Sequence, residues 1–233
     1  MKVIDIKNLE KIYNESEVKV HAIRGIDLVF EEGEFAAIVG PSGSGKTTLL
    51  NMIGGLDRPT TGEIHINGTN MGKLKSSKLI DFRLNNIGFV FQAYNLIPVL
   101  TAGENVQFIM HLQGKSKPER EKRTKELLDA VGLGDRINSR PSKLSGGQQQ
   151  RIAVARALAS KPRFILADEP TANLDSVSAG NLLDIMEKLN EEENITFIFS
   201  THDARVVKKA RRVITLEDGL VISDEVKTDN QES

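Results

Sequence analysis

The chain has 233 residues, a prior of about one and a half ordinary domains, and enough to bury a core without disulfides or metals. Lys+Arg is 31 against Asp+Glu 32, a formal net charge of -1, which argues against a dedicated nucleic-acid binder with its basic excess. With 39% hydrophobic and 27% charged residues and no cysteine, disorder, a disulfide-stapled fold and a zinc-thiolate site are all excluded.

In chain order, residues 3–9 (VIDIKNL) and 63–67 (EIHIN) alternate and predict half-buried strands. Phe35–Val39, Phe164–Ala167 and Ile195–Phe199 are apolar nearly throughout, and Ile87–Phe91 is a further strand candidate. Continuous apolarity predicts strands covered on both faces, as in a parallel sheet flanked by helices. Each fully apolar run leads into polar or glycine-rich residues and then a helical pattern, the rhythm of a doubly wound sheet whose ligands sit beyond the carboxyl ends of the strands.

The stretch 93–150 reads as a helical insertion. Ser116-Lys117-Pro118 resembles a helix start, Leu127, Leu128 and Val131 an apolar stripe, and Gly132 a stop. Between Lys115 and Glu126, six basic and three acidic residues intermix. A solvated helix face is favoured there over a surface for an acidic partner or lipid headgroups. The start lacks the apolar core of a signal peptide, and no apolar run approaches the roughly 18 residues of a membrane span. A membrane role therefore needs another chain for the span. The last ten residues, from Asp224, are polar and expected to fray.

Gly40-Pro41-Ser42-Gly43-Ser44-Gly45-Lys46-Thr47 matches G-x-x-x-x-G-K-S/T between an apolar strand and a helix pattern opened by Thr48. The glycines let successive N–H groups point inward at phosphate oxygens, and the helix terminus adds positive potential. Lys46 reaches the β- and γ-phosphates, and the Thr47 hydroxyl ligates Mg²⁺. Asp168 and Glu169 close the apolar run Phe164–Ala167. Alone they are equally a surface pair. Beside a phosphate loop, Asp168 serves the Mg²⁺ shell and Glu169 is a candidate general base, worth about 10²–10⁴ in rate. His202 and Gln92 stand at two further strand ends and are candidates for the γ-phosphate, the attacking water and Mg²⁺, a solvated strand end being the plain alternative for Gln92.

Leu144-Ser145-Gly146-Gly147-Gln148 has chance odds of roughly a few in ten thousand in a chain this long. It opens a second helix pattern, and so offers a second anion-binding terminus built from Ser145, Gly146, Gly147 and Gln148. One nucleotide has little use for two such termini on opposite flanks of one domain.

With that motif the sequence resembles the ATP-binding subunits of ABC transporters, over essentially the whole chain and with every family motif in order. Tyr13 looks like the aromatic that stacks on adenine, Gly40–Thr47 like the Walker A loop and Gln92 like the Q-loop glutamine. Leu144–Gln148 resembles the signature, Asp168 the end of Walker B, Glu169 the catalytic carboxylate, Asn173–Asp175 the D-loop and His202 the switch histidine. The resemblance implies an α/β fold: a RecA-like P-loop NTPase core (about 1–92 and 151–233) with an N-terminal antiparallel β portion and an inserted helical subdomain (about 93–150). It implies ATP and Mg²⁺, and two copies packed head to tail so that one signature covers the ATP on the other's Walker A. It also implies integral-membrane permease subunits, and a place on the cytoplasmic face of the cell membrane.

Ile53–Gly62, Phe89–Pro98 and Glu104–Val106 look like the lipoprotein-release and macrolide-export type. The departures are small: Thr47 stands where serine is also common, and Ala172 where glycine is frequent before the D-loop. An ATP-driven mechanotransmission or regulatory module for a non-transporting membrane partner is the alternative. Soluble repair or translation ATPases would bring coiled coils or a second cassette. A nucleotide kinase would leave Leu144–Gln148 unexplained.

Overall fold

The computed structural model describes residues 1–14 and 19–227. The chain opens with strands β1 (Lys2–Tyr13), β2 (Val20–Glu31) and β3 (Phe35–Val39). Helix α1 (Lys46–Ile53), β4 (Thr61–Ile66), β5 (Thr69–Asn70), α2 (Ser76–Asn86) and β6 (Ile87–Val90) come next. Three helices follow, α3 (Ala102–Leu112), α4 (Lys117–Ala130) and α5 (Gly146–Ala159). Then come β7 (Phe164–Asp168), α6 (Ser176–Glu193), β8 (Thr196–Ser200) and α7 (Ala204–Lys209). The hairpin β9 (Arg212–Glu217) and β10 (Leu220–Val226) completes the described chain.

Two sheets result. One is antiparallel, in the order β2-β1-β4-β5. The other runs β10-β9-β3-β8-β7-β6, with parallel pairing from β9 to β6 and β10 antiparallel on its edge. This is the fold expected from the sequence: a RecA-like α/β core, an antiparallel β portion and a helical insert.

The apolar runs prove to be two period-2 patterns interleaved, because successive strand residues face opposite sides of the sheet. Phe35, Ala37, Ile165, Ala167, Phe197 and Phe199 join the core made with α3 to α6. Ala36, Ile38, Phe164, Leu166 and Ile198 join the core made with α1 and the antiparallel sheet. Burial on both faces is what removes polar residues from these strands.

Helices α3 and α4 start where the sequence supplies caps. Thr101 and Glu104 cap α3 reciprocally, and Glu119 accepts from both the Ser116 backbone N (3.0 Å) and its Oγ (2.6 Å) ahead of α4. Gly132, at φ +69°, follows the end of α4 as expected. Helix α5 runs unbroken across position 150, tying the insert to the sheet.

Four expectations need adjusting, the first being the strand expected over 63–67, which runs from Thr61 and ends at Ile66. Strand β6 ends at Val90, so Phe91 and Gln92 lie beyond it. Strand β8 begins at Thr196 and includes Ser200, while the Ile195 carbonyl accepts from Asn190 Nδ2 (2.6 Å). Asp224–Val226 do not fray but pair with β9, and Asp224 takes a two-point bond from Arg212 at 2.7 Å each. The remainder of the expected frayed tail, 228–233, lies outside the described residues. Among the described residues, no helix is long and apolar enough to cross a membrane.

Candidate nucleotide site

The loop after β3 is shaped by its glycines. Gly40 has φ +148° and Gly45 has φ +103°. A Cβ at Gly40 would overlap the Leu216 carbonyl oxygen, and one at Gly45 the Ala22 carbonyl oxygen. Gly45 is the N-cap of α1 and supplies no side-chain acceptor, and the first turn carries no acidic residue. The N–H groups and positive potential of that terminus therefore stay available to an anion. Lys46 Nζ bends over the loop and donates to the carbonyls of Gly40 and Pro41, each at 2.8 Å.

This loop borders a cavity of about 1110 Å³, roomy against the roughly 300–1,000 Å³ of ordinary ligand pockets. Gly40, Ser42, Gly43, Gly45, Lys46, Thr47 and Thr48 line it, together with Tyr13, Gln92, Glu169 and His202 from elsewhere in the sequence. Ser44 does not; it is buried, and its Oγ has no partner among the described residues.

Sheet order explains the convergence. Strand β8 lies between β3 and β7, so three parallel strands end side by side. Thr47 Oγ1 donates to Asp168 Oδ1 at 3.3 Å, which sets a hydroxyl and a carboxylate together beneath the loop. Oxygen donors of this kind suit Mg²⁺, which takes one or two carboxylates and completes its shell with phosphate and water. Among the described residues no group of three or more His, Asp or Glu forms a metal cage, in keeping with such a sparse donor set.

Glu169 adopts a left-handed backbone, φ +45°, and its N–H donates to the Ser200 carbonyl at 2.9 Å. That turn points its carboxylate along the ends of the strands. Oε1 lies 2.7 Å from His202 Nδ1, and Oε2 accepts from Thr201 Oγ1 at 3.1 Å. The Gln92 backbone carbonyl accepts from Asn173 Nδ2 at 3.0 Å. On the far side of the cavity, Tyr13 OH donates to Asp57 Oδ2 at 2.7 Å, and Lys11 Nζ sits 4.7 Å from the Tyr13 ring centre. The Tyr13 ring is thereby held at the cavity rim.

Ser145–Gln148 is placed differently. Ser145 caps α5 in a reciprocal box: its Oγ accepts from Gln148 N (3.3 Å), and Gln148 Oε1 accepts from Ser145 N (3.0 Å). Gly146 packs under the Tyr94 hydroxyl and Gly147 against Ser178, so a side chain at either position would press on its neighbour. Ser145 is exposed, and none of Ser145–Gln148 lines the cavity.

Several residues around the site were not singled out by sequence. Gln150 is fully buried and donates to the carbonyls of Phe91 (3.2 Å) and Pro170 (2.9 Å), bridging the segments that carry Gln92 and Glu169. The signal was its spacing, on one helix face with the buried Ala153, Val154, Ala157 and Leu158. Arg156 donates to the carbonyls of Tyr94 (2.8 Å) and Asn95. Arg156 and Arg83 also line a second, mostly apolar cavity of about 440 Å³, with Ile80, Phe89, Phe91 and Phe108. Burial pushes both guanidinium pKa values below their ordinary range, and neither has a carboxylate partner among the described residues.

Comparison with known proteins agrees with this geometry. Residues 23–172 match the family described as ABC transporter. An uncharacterized ABC transporter ATP-binding protein of Thermotoga maritima is 48% identical over 220 residues, 94% of this chain and 94% of that protein. The macrolide export ATP-binding/permease protein MacB of Mannheimia succiniciproducens is 46% identical over 97% of this chain, a stretch that makes up 35% of MacB. Among solved structures, the ATP-binding cassette MJ0796, described as a dimer in a post-hydrolysis state bound to ADP and Pi, is 44% identical with a TM-score of 0.88. That match covers 96% of this chain and 98% of the other. With the phosphate loop, the acidic strand end and the capped Ser-Gly-Gly helix in one frame, the chain belongs to the ABC transporter family, as an ATP-binding subunit and ABC ATPase.

Proposed function

We propose that the chain works as a head-to-tail homodimer that hydrolyses ATP at two composite sites and drives a membrane permease of the lipoprotein-release or macrolide-export type. The observation that carries this reading is the separation within one chain: the cavity collects Tyr13, the phosphate loop, Gln92, Glu169 and His202, while Ser145–Gln148 stays off it. A second copy supplies the missing anion-binding terminus. The dimeric MJ0796 cassette, by its description bound to ADP and Pi, supports that arrangement.

In this reading Tyr13 stacks on adenine, and the N–H groups of Gly40–Thr48 with Lys46 hold the phosphates. Thr47, Asp168 and Gln92 are the residues that would hold Mg²⁺, which would supply positive charge against the phosphates. Glu169 orients a water in line with the γ-phosphate, and His202, 2.7 Å from Glu169, is placed to contact that phosphate. Water adds to phosphorus as the bond to the ADP oxygen breaks. Catalysis is mostly positioning and charge stabilisation. Loss of the γ-phosphate removes what Ser145 and Gly147 of the partner copy grip, and the dimer loosens.

MacB joins an ATP-binding part and a permease in one name, and this chain spans about a third of its length. In this reading a permease holds this subunit at the cytoplasmic face of the membrane. The apolar cavity between α2, β6, α3 and α5 is its docking surface. Among the described residues the two arginines there have no carboxylate partner, which a docked segment can bring, and Arg156 grips the backbone of Tyr94, two residues after Gln92.

The test is Glu169→Gln. ATP binding is retained, turnover falls at least about 100-fold, and an ATP-bound dimer accumulates in size-exclusion chromatography with light scattering. A variant that turns over normally removes Glu169 from this role.

A further inference from the structure

We propose that Thr201 is a positioning residue that holds the Glu169 carboxylate in its working orientation, through a chain of hydrogen bonds running Glu169–Thr201–Asp203–Thr171 that the backbone from Thr171 to Glu169 closes into a ring. The inference rests on the assignment of Glu169 to the attacking water.

Thr201 follows β8 and is fully buried. Its backbone N–H donates to the Ile38 carbonyl at 3.1 Å, which fastens it to the strand that leads into the phosphate loop. Its hydroxyl accepts from Asp203 N at 3.0 Å. A hydroxyl has one proton, and the remaining neighbour is Glu169 Oε2 at 3.1 Å, so that proton is directed at the carboxylate.

The other side of the ring is as tightly held. Asp203 Oδ2 accepts from Thr171 Oγ1 at 2.6 Å, and Oδ1 accepts from Arg205 N and Nε, each at 2.9 Å. Thr171 is buried and stands two residues after Glu169. The ring therefore holds Glu169 at its carboxylate, through Thr201, and two residues further along the backbone, through Thr171. A non-glycine residue at φ +45° persists only where its surroundings over-determine it.

The two carboxylate oxygens meet unlike partners. Oε1 faces His202, whose side chain is 76% exposed, whereas Oε2 faces the buried Thr201. An exposed partner is free to turn to another acceptor when one arrives. A buried one, tied to β3 and to Asp203, is not. When His202 turns to the γ-phosphate, Thr201 alone keeps the carboxylate plane fixed.

The experiment compares Thr201→Val, which keeps the shape and loses the donor, with Thr201→Ser, which keeps the donor. Thr201→Val is expected to lower kcat for ATP about 10- to 100-fold, the size of effect a small misplacement brings, with KM and the ATP affinity of the monomer within about twofold. Thr201→Ser retains most of kcat. In a Glu169→Gln background, Thr201→Val costs nothing further, as expected of two residues acting as one unit. Thr171→Ala opens the ring beyond Asp203 without touching Thr201, and lowers kcat in the same direction by about threefold or more.

Near-normal kcat in Thr201→Val beside an inactive Glu169→Gln overturns the role of Thr201 and leaves that of Glu169 standing. An active Glu169→Gln overturns both. A loss in Thr201→Val that serine does not rescue, or that appears as weaker ATP binding, shows a packing role and overturns the proposal. Unchanged kcat in Thr171→Ala overturns the closed ring.

Discussion

Two helices of this protein carry glycine at their N-terminal ends, and they begin differently. The N-cap of α1, Gly45, offers no side-chain acceptor and opens into the cavity beside a hydroxyl, two carboxylates and a histidine. The N-cap of α5, Ser145, is satisfied by its own Gln148 and faces away from that cavity. The same backbone dipole serves both, yet the first has a cavity gathered around it, while the second, in the proposed dimer, completes the site of a partner copy. A helix end is a ligand site only in proportion to what the fold gathers around it.

The sharpest way to break the contrast is Lys46→Ala. Removing the ammonium from the complete site lowers turnover at least about 100-fold and weakens ATP binding by the isolated chain, measured with a fluorescent ATP analogue. Intact binding would deny α1 its role. Ser145→Ala comes next. Turnover falls about tenfold or more, as for loss of one donor at a charge-stabilising site, while ATP affinity of the monomer stays the same. A large loss of monomer affinity would place Ser145 in its own chain's site.

Stability should divide the same way. Gly40→Ala forces a Cβ toward the Leu216 carbonyl and destabilises by about 2 kcal/mol in urea unfolding. Ser145→Ala removes only a cap, about 1 kcal/mol. Equal costs would mean that the loop is no more constrained than an ordinary helix start.

The last expected effect appears only in acid. Hydrogen bonds from Arg205, backed by Thr171, outweigh burial and hold the Asp203 carboxyl at about 2, below its ordinary value of 3.8. The folded state then binds fewer protons than the unfolded state between those values. The contribution of Asp203, up to about 2 kcal/mol, is present above pH 4 and fades as pH falls toward 2. Asp203→Asn should flatten that part of the acid-unfolding profile, and an unchanged profile would show that the ring carries no stability.

What was legible in the sequence follows from the physics of each element. The phosphate loop was legible because glycine is obligatory where φ is +148° and +103° and where a Cβ meets backbone oxygen. The central strands were legible because burial on both faces removes polar residues from them. Strand β2 was not, since Gly25 at φ +81° and register shifts against β1 break its alternation. The hairpin of β9 and β10 left a usable signal that went unread, Asp218-Gly219, with both residues at positive φ. Gln150 and Thr201 escaped because their importance lies in what they touch: one reads as the third of three glutamines, the other as one polar residue among four at a strand end.

The contrast between the two helix ends is tested most directly by mixing two inactive variants. A dimer of Lys46→Ala with Ser145→Arg pairs the intact loop of one chain with the intact Ser145 segment of the other, at one of its two sites. Each variant alone should be inactive, and ATP hydrolysis should reappear on mixing. Activity that stays absent in a mixture shown by light scattering to form the mixed dimer would contradict the shared site.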